Sequence, residues 1–329
     1  MVQPPAQGSQ DRCDEIRRLC AAWRDATGAG SAGGGLVITP HIEQNFRLRN
    51  NGIEMSSLSH TELRAVAVGL TTVLLLPGMT TVIDEDHLLF WSWCGELLAG
   101  PHWTYFGKDK REDFELRELL SLAVHATLSS RAVTGDRGPL LTMNVHLREL
   151  AAYGPSQLLT YLSFPVLEGI LKKECRQYVD HAGTVLNPFQ VPGRTGGNHV
   201  QYVTASSGAG RKTECRSLRD LLWLLHEKVA SPGLKDDLDT IGEHIRDSFA
   251  TPTEGGFGVL YRWRNSSAHG SESLETVGGT VLSVALVIAI HALASEYENV
   301  RSLLASLIER NLSAWQQGQP RPTSSFYPP

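Results

Sequence analysis

Three side chains suited to acid–base and phosphate chemistry lie close together in residues 261–270. Arg264 and His269 are five positions apart, and Asn265 follows the arginine directly. Histidine exchanges a proton near neutral pH, arginine forks onto phosphate oxygens, and asparagine donates to a phosphate or orients an imidazole. These residues supply a proton shuttle and charge stabilisation. Attack of a ribose 2′-hydroxyl on the adjacent phosphate requires both, without a metal.

The spacing of this motif constrains the element that carries it. Five residues on a regular α-helix turn through roughly 500°, or about 140° net, so Arg264 and His269 do not share one face. The two side chains converge if a helix starts, ends or kinks within the motif, or if they meet across a two-fold dimer interface. Ser266, Ser267 and Gly270 favour a helix boundary at this point.

The run Arg264-Asn265-Ser-Ser-Ala-His269-Gly270 resembles the Arg-x(4–6)-His motif of HEPN domains. Upstream, Phe164-Pro-Val-Leu-Glu168-Gly-Ile-Leu is similar to the first HEPN helix, in which a polar residue can face the motif. Glu168 is the candidate for that role, and a surface glutamate is the alternative. Pro165 indicates a kink or a first-turn position in this helix.

The resemblance implies a fold and an activity. HEPN ribonucleases are helical bundles that dimerise, so that two motifs form one cleft. They cleave RNA without metal and act in stress and phage defence. By resemblance, His269 is the general acid or base and Arg264 positions the scissile phosphate. Asn265 orients one of these two side chains. A homodimer through the C-terminal bundle and an RNA substrate, tRNA among the candidates, are the partners expected.

A basic segment precedes the motif. Between residues 194 and 219 Glu214 is the only acidic residue, whereas Arg194, Arg211, Lys212 and Arg216 are basic. With Arg262 of the motif region, these residues are candidate contacts to an RNA backbone, held by salt-sensitive interactions. The alternative is a solvated loop.

Two other functional interpretations of the same bundle stay open. In one, the domain is a non-catalytic dimerisation module whose Arg264 and His269 hold a nucleotide or an RNA phosphate. In the other, Arg264 and Asn265 satisfy backbone groups and His269 packs in the core. The first predicts binding without turnover. The second predicts that mutation of Arg264 costs folding stability and leaves RNA assays unchanged.

Composition bounds these interpretations. The chain has 329 residues, 41% of them hydrophobic and 20% charged, and a formal net charge of −5. This balance is typical of globular proteins, and the negative charge argues against coating of nucleic acid while allowing a local basic site. The five cysteines are scattered without a CxxC pair, so reduced thiols in the cytoplasm are expected.

The helical and strand periodicities predict an α-rich, multi-domain chain. Residues 1–35 are expected to be disordered apart from a short helix, Asp14–Ala26, and a Gly-rich linker. Residues 36–152 form a mixed α/β region, a candidate sensor or regulatory domain, with strands at 36–39, 80–83 and 140–145. Residues 153–315 form the HEPN-like helical bundle, and 316–329 a tail without a packing pattern.

Within the bundle, the helix order over 155–315 resembles the four- to five-helix HEPN arrangement. Tyr153-Gly-Pro155 marks its start, and a helix is predicted from Gln157 to about Asp180. An insertion at 183–213 is predicted to contain a small hairpin, formed by Val185–Leu186 and Val200–Thr204. This insertion is larger than a minimal HEPN domain requires.

No cofactor or metal is expected. The Gly28-x-Gly30-x-x-Gly33 pattern precedes its nearest predicted strand, whereas a dinucleotide fingerprint follows one. The 208–213 segment lacks the core of a phosphate loop. Asp84-Glu-Asp-His87 is interpreted as a solvated acidic turn, and the aromatic residues between Phe90 and Phe106 as a core cluster in preference to a base-stacking surface.

One apolar stretch, Val277–Ala294, has no Asp, Glu, Lys or Arg. About 18 residues is the lower edge of a membrane-spanning length. No second span and no clear basic anchor accompany it, so a buried core helix is the prediction.

Overall fold

The computed structural model describes residues 7–29, 44–74, 85–135, 145–193, 198–207, 211–249, 254–268, 277–317 and 326–327. Helices dominate these residues, and a single two-stranded antiparallel hairpin is the sheet found among them. The helices are α1 (Gln7–Ala29), α2 (His60–Val73), α3 (Glu85–Ala99), α4 (Arg111–Gly135), α5 (Val145–Glu174), α6 (Leu218–Leu224), α7 (Pro232–Phe249), α8 (Gly256–Ala268), α9 (Gly278–Ala292) and α10 (Tyr297–Gln316). The strands are β1 (Phe189–Pro192) and β2 (His199–Tyr202). The predicted α-rich character is confirmed.

Helix α9 is the centre of the core. Every residue from Gly278 to Ile290 is buried, and the helix packs against α2, α3, α5 and α7. Gly278 and Gly279 allow close approach, because a Cβ on them would lie 2.7 Å from Thr160 and 3.2 Å from Trp91. The apolar stretch at 277–294 therefore forms a buried core helix, as predicted.

None of the described helices is by itself long and apolar enough to cross a membrane. Helices α9 and α10 pass such a test together by length and composition, but they are bent by 111° at the break between them.

Local sequence signals account for the start of α2. Ser59 caps the helix: its hydroxyl accepts from the Glu62 N–H at 3.4 Å, and the Glu62 carboxylate accepts from the Ser59 N–H at 2.7 Å. This is the reciprocal capping box that Ser59-x-x-Glu62 predicts, worth about 1 kcal/mol.

Most aromatic residues of α3 and the following loop lie in the core, as predicted, whereas Trp103 is only partly buried against it. Phe90, Trp91, Trp93 and Phe106 are fully buried. The Trp91 indole donates to the Ser283 hydroxyl at 3.0 Å, which joins α3 to α9.

The acidic segment at the start of α3 was predicted to be a solvated turn, and this prediction is wrong for Asp86 and His87. Asp86 and His87 are fully buried in the first turn of α3. The Asp86 carboxylate accepts from the backbone N–H groups of Leu48 at 2.7 Å and Arg49 at 3.4 Å, and a ring nitrogen of His87 contacts the Leu70 carbonyl oxygen at 2.9 Å. Burial is tolerated because these backbone groups, distant in sequence, replace the hydrogen bonds to water.

The hairpin exists, but its first strand differs from the prediction. Tyr202 of β2 pairs with Phe189 of β1, and their rings stack at 4.7 Å. Val185 instead forms an isolated bridge with Val179. Burial alternates along β1, with Phe189 and Val191 buried, as expected for a strand with one face against the core.

The ends of the chain contact the core more than the sequence predicts. Helix α1 begins at Gln7, before the predicted Asp14. Near the C-terminus, Phe326 and Tyr327 are buried, although the sequence predicts no packing for the tail. The buried Glu96 carboxylate accepts from both of their backbone N–H groups, at 3.0 Å for Tyr327.

The predicted division into domains stays a prediction. The helix predicted at 157–180 is present as α5 and runs from Val145 to Glu174, across the predicted boundary at Tyr153–Pro155. The predicted strands at 36–39 and 80–83, and most of 140–145, lie outside the described residues. The described parts of 44–152 are helices, short 3-10 helices and loops.

Replacing Phe326 with alanine should lower the free energy of unfolding by about 1.5–3 kcal/mol, the value of burying one such side chain. Urea denaturation of the two proteins measures this difference. Leu303→Ala is the control, because Leu303 is 49% exposed and its removal should cost less than about 0.5 kcal/mol. Equal stability of the wild type and Phe326→Ala would contradict a docked tail.

Candidate active site

Arg264 lies opposite Glu168, the residue proposed to face the motif. The Arg264 Nε donates to a Glu168 carboxylate oxygen at 3.1 Å, and its Nη1 donates to the Asn265 side-chain oxygen at 3.3 Å. The Arg264 side chain is 41% exposed and that of Glu168 20% exposed. The structure therefore brings three of the four candidate catalytic residues together at a solvent-accessible position.

Two amphipathic helices produce this meeting. On α8, Val259, Leu260 and Trp263 are buried, so the next residue after Trp263 turns away from the core. On α5, Leu167 and Ile170 are buried on either side of Glu168. The two helices are in contact, and the arginine and the glutamate meet beside that contact.

Helix α8 is described as far as Ala268, and His269 lies outside the described residues. Arg264 and Asn265 lie within α8, and the expected helix boundary inside the motif stays a prediction. Ser267, two positions before the histidine, is 2% exposed, and its hydroxyl has no hydrogen-bond partner among the described residues.

Arg262 has a packing role in the structure. Its Nη2 donates to the Phe249 carbonyl oxygen at 2.8 Å, and its Nε contacts the Glu254 carboxylate at 3.3 Å. These contacts connect α8 to the end of α7. The contact between Arg262 and Glu254 could not be predicted from the sequence. The two residues are eight positions apart and Glu254 precedes the helix, so helical periodicity does not relate them. RNA binding by Arg262 stays a prediction.

The basic segment after the hairpin divides into exposed and paired parts. Arg211 and Lys212 are exposed, and the Lys212 ammonium lies 5.5 Å from the Tyr202 ring centre. Arg216 is exposed but pairs with Glu214 at 2.6 Å. Arg194 lies outside the described residues. Arg211 and Lys212 are thus the described cations of this segment best placed to meet a polyanion.

A buried network holds the hairpin against α6. The Tyr202 hydroxyl donates to Asp220 at 2.7 Å, and Arg219 donates to the carbonyl oxygens of Pro192 and Gly193 at 2.7 and 2.8 Å. Burial and the Asp220 carboxylate raise the pKa of Tyr202, which therefore stays a neutral donor. These hydrogen bonds hold the hairpin in place beside Lys212.

No group of three or more His, Cys, Asp or Glu side chains that could hold a metal ion occurs in the part of the chain that the structure describes. All five cysteines are buried free thiols.

Comparisons with known proteins assign no family. No family model, no curated protein and no solved structure matches this chain. The chemistry of the site is therefore argued from its own residues.

A double-mutant cycle on Arg264→Gln and Glu168→Gln should give a coupling free energy of about 1 kcal/mol or less for folding. Exposed ion pairs contribute little, because water and salt screen them. Urea unfolding of the wild type, both single variants and the double variant measures the coupling. A coupling above about 2 kcal/mol would assign Arg264 a structural role, and the site would then have no main candidate for phosphate binding.

Proposed function

We propose that this protein is a metal-independent endoribonuclease of the HEPN type. The observation that carries the proposal is the ion pair between Arg264 and Glu168, which are 96 positions apart in sequence. It supports the assignment of both residues to one site, together with Asn265. His269 follows the described end of α8 by one residue.

In this proposal each residue has one task. His269 moves the proton between the ribose 2′-hydroxyl and the leaving 5′-oxygen. Arg264 binds the scissile phosphate and stabilises the negative charge that develops on it. Glu168 orients the guanidinium, and Asn265 contacts it from the side. The 2′-oxygen attacks phosphorus, the P–O5′ bond breaks, and a 2′,3′-cyclic phosphate and a free 5′-hydroxyl result.

The partial exposure of the ion pair is compatible with this task. A guanidinium has five N–H donors, and Glu168 and Asn265 contact two of the three nitrogens that carry them. The Nη2 group of Arg264 donates no hydrogen bond among the described residues, so in this proposal a phosphate oxygen binds there without displacing Glu168. The carboxylate then limits the rotation of the guanidinium plane.

The proposal includes a homodimer through the C-terminal helices, in which two motifs form one cleft. Arg211, Lys212 and Arg216 bind the RNA backbone, with Arg194 and Arg262. The setting is the cytoplasm, where such an enzyme acts as a stress or phage-defence effector. Residues 36–152 regulate it.

Purified protein should cleave total RNA or tRNA in EDTA, and His269→Ala should reduce the rate by about 10²–10⁴-fold because the acid–base group is removed. Product termini are mapped to test for a 2′,3′-cyclic phosphate. His181→Ala is the matched control, since the His181 side chain is 66% exposed and has no part in the proposed reaction. RNA binding without cleavage by the purified full-length protein would favour the non-catalytic binding module.

The salt dependence of RNA binding tests the exposed cations. The slope of log K against log salt is negative for RNA binding. Replacing Arg211 and Lys212 with glutamine should reduce its magnitude by about 0.7 for each phosphate of single-stranded RNA that the variant no longer neutralises. Fluorescence anisotropy with a labelled oligonucleotide, measured over a salt series, gives the slope. Lys228→Gln with Lys235→Gln is the control pair on another surface. An unchanged slope would show that Arg211 and Lys212 do not contact the RNA backbone.

A further inference from the structure

A groove lies where the start of α4 faces the end of α5 and the segment that follows it. We call it the α4–α5 groove, and its volume is about 630 Å³. It is lined by Leu116 and Leu119 of α4, by Gly169, Lys172 and Arg176 on and just after α5, and by the 179–186 segment. Cavities of this size hold small organic molecules. None of the motif residues lines it.

The apolar wall of the groove is aliphatic. Leu116, Leu119, Val179 and Leu186 supply it, and no Phe, Tyr or Trp is among the lining residues of the described chain. Leu186 is 48% exposed, which is unusual for a leucine beside a cavity. A flexible hydrocarbon fits such a wall better than a planar base, which stacks on aromatic side chains.

The carboxylates of the groove are already engaged. Asp113 pairs with Lys173 at 2.8 Å, with side chains 15% and 12% exposed. The Asp180 carboxylate accepts the Thr184 N–H at 2.7 Å, and hydrogen bonds of this kind hold its pKa below the usual range. Of the remaining two acids, Glu115 pairs with Arg111 at 2.7 Å, and a Glu112 carboxylate oxygen lies 3.8 Å from a ring nitrogen of His181.

Four cations and four carboxylates line the groove, but three of the cations have no ion pair among the described residues. Lys110, Lys172 and Arg176 line the groove, and none of them has an ion pair or side-chain hydrogen bond among the described residues. Lys172 is half-buried. A half-buried ammonium beside apolar side chains gains from an anionic partner, because water solvates it incompletely.

A second, more polar cavity of about 490 Å³ adjoins the first and shares Lys110, Asp113, Lys173 and Arg176 with it. It includes Glu174, whose carboxylate accepts from the Tyr105 hydroxyl at 2.9 Å. Burial raises the pKa of Glu174. The wall between the two cavities therefore carries the Asp113–Lys173 pair together with Lys110 and Arg176, which have no ion pair among the described residues.

We propose that the α4–α5 groove binds a small amphipathic anion, an aliphatic body with one carboxylate or phosphate head. The body packs on Leu116, Leu119, Val179 and Leu186. The head lies between Lys172 and Arg176, with Lys110 at the mouth. The site is separate from the Arg264 site, so neither proposal depends on the other.

Isothermal titration calorimetry of the full chain with octanoate and with octyl phosphate tests the proposal. Saturable binding of either probe at one site per chain is expected, with acetate and inorganic phosphate much weaker because they lack the body. The probe that binds more tightly identifies the head group. Neutral 1-octanol should also bind more weakly than octanoate.

Lys172→Met with Arg176→Met should weaken binding by at least about tenfold, the equivalent of one charge-assisted hydrogen bond. Methionine retains an apolar stem, and the melting temperature of each variant verifies folding. Lys228→Met with Lys235→Met is the matched control and should leave binding unchanged. Absence of saturable binding to the folded wild type, or equal affinity in the groove variant, would overturn the proposal.

Discussion

Burial of α9 is the constraint on which the rest of the structure depends. Thirteen consecutive residues, Gly278–Ile290, are buried. A helix that is apolar on every side is stable in a globular fold only when other helices surround it. Helices α2, α3, α5 and α7 do so. The polar contacts around α9, such as Trp91 with Ser283, satisfy groups that this burial removes from water.

Helix α5 connects this core to both proposed sites. It packs against α9 and α4 and also contacts α6 and α8. Glu168 and Gly169 are adjacent on it, yet they belong to different surroundings: Glu168 meets Arg264, and Gly169 lies against Leu116 in the α4–α5 groove. Successive helical residues differ by about 100° in direction, so one helix can position an ion pair on one side and line a groove on another.

The Arg264 site combines rigid support with access to solvent. Trp263 and Leu260 fix α8 in the core, while the Arg264 side chain stays 41% exposed. Arg262, two positions earlier, is engaged by Glu254 and the Phe249 carbonyl. Two arginines on one helix thus have different surroundings: Arg262 is held by packing contacts, and Arg264 lies at the proposed phosphate site.

Several features that depend on local spacing could be predicted from the amino-acid sequence. The helical content, the Ser59 capping box and the buried helix at 277–294 each follow from a periodicity or a short pattern, whereas the choice of Glu168 as a residue facing Arg264 came from the resemblance to the first HEPN helix. Tertiary structure alone decided the burial of Asp86, the pairing of β2 with 189–192, the docking of Phe326 and Tyr327, and the α4–α5 groove. In each of these cases the partner is distant along the chain: backbone N–H groups of residues 48 and 49 for Asp86, and the Glu96 carboxylate for the tail. A buried polar group is stable only where such a partner exists, and no local pattern specifies which distant group folding will bring there.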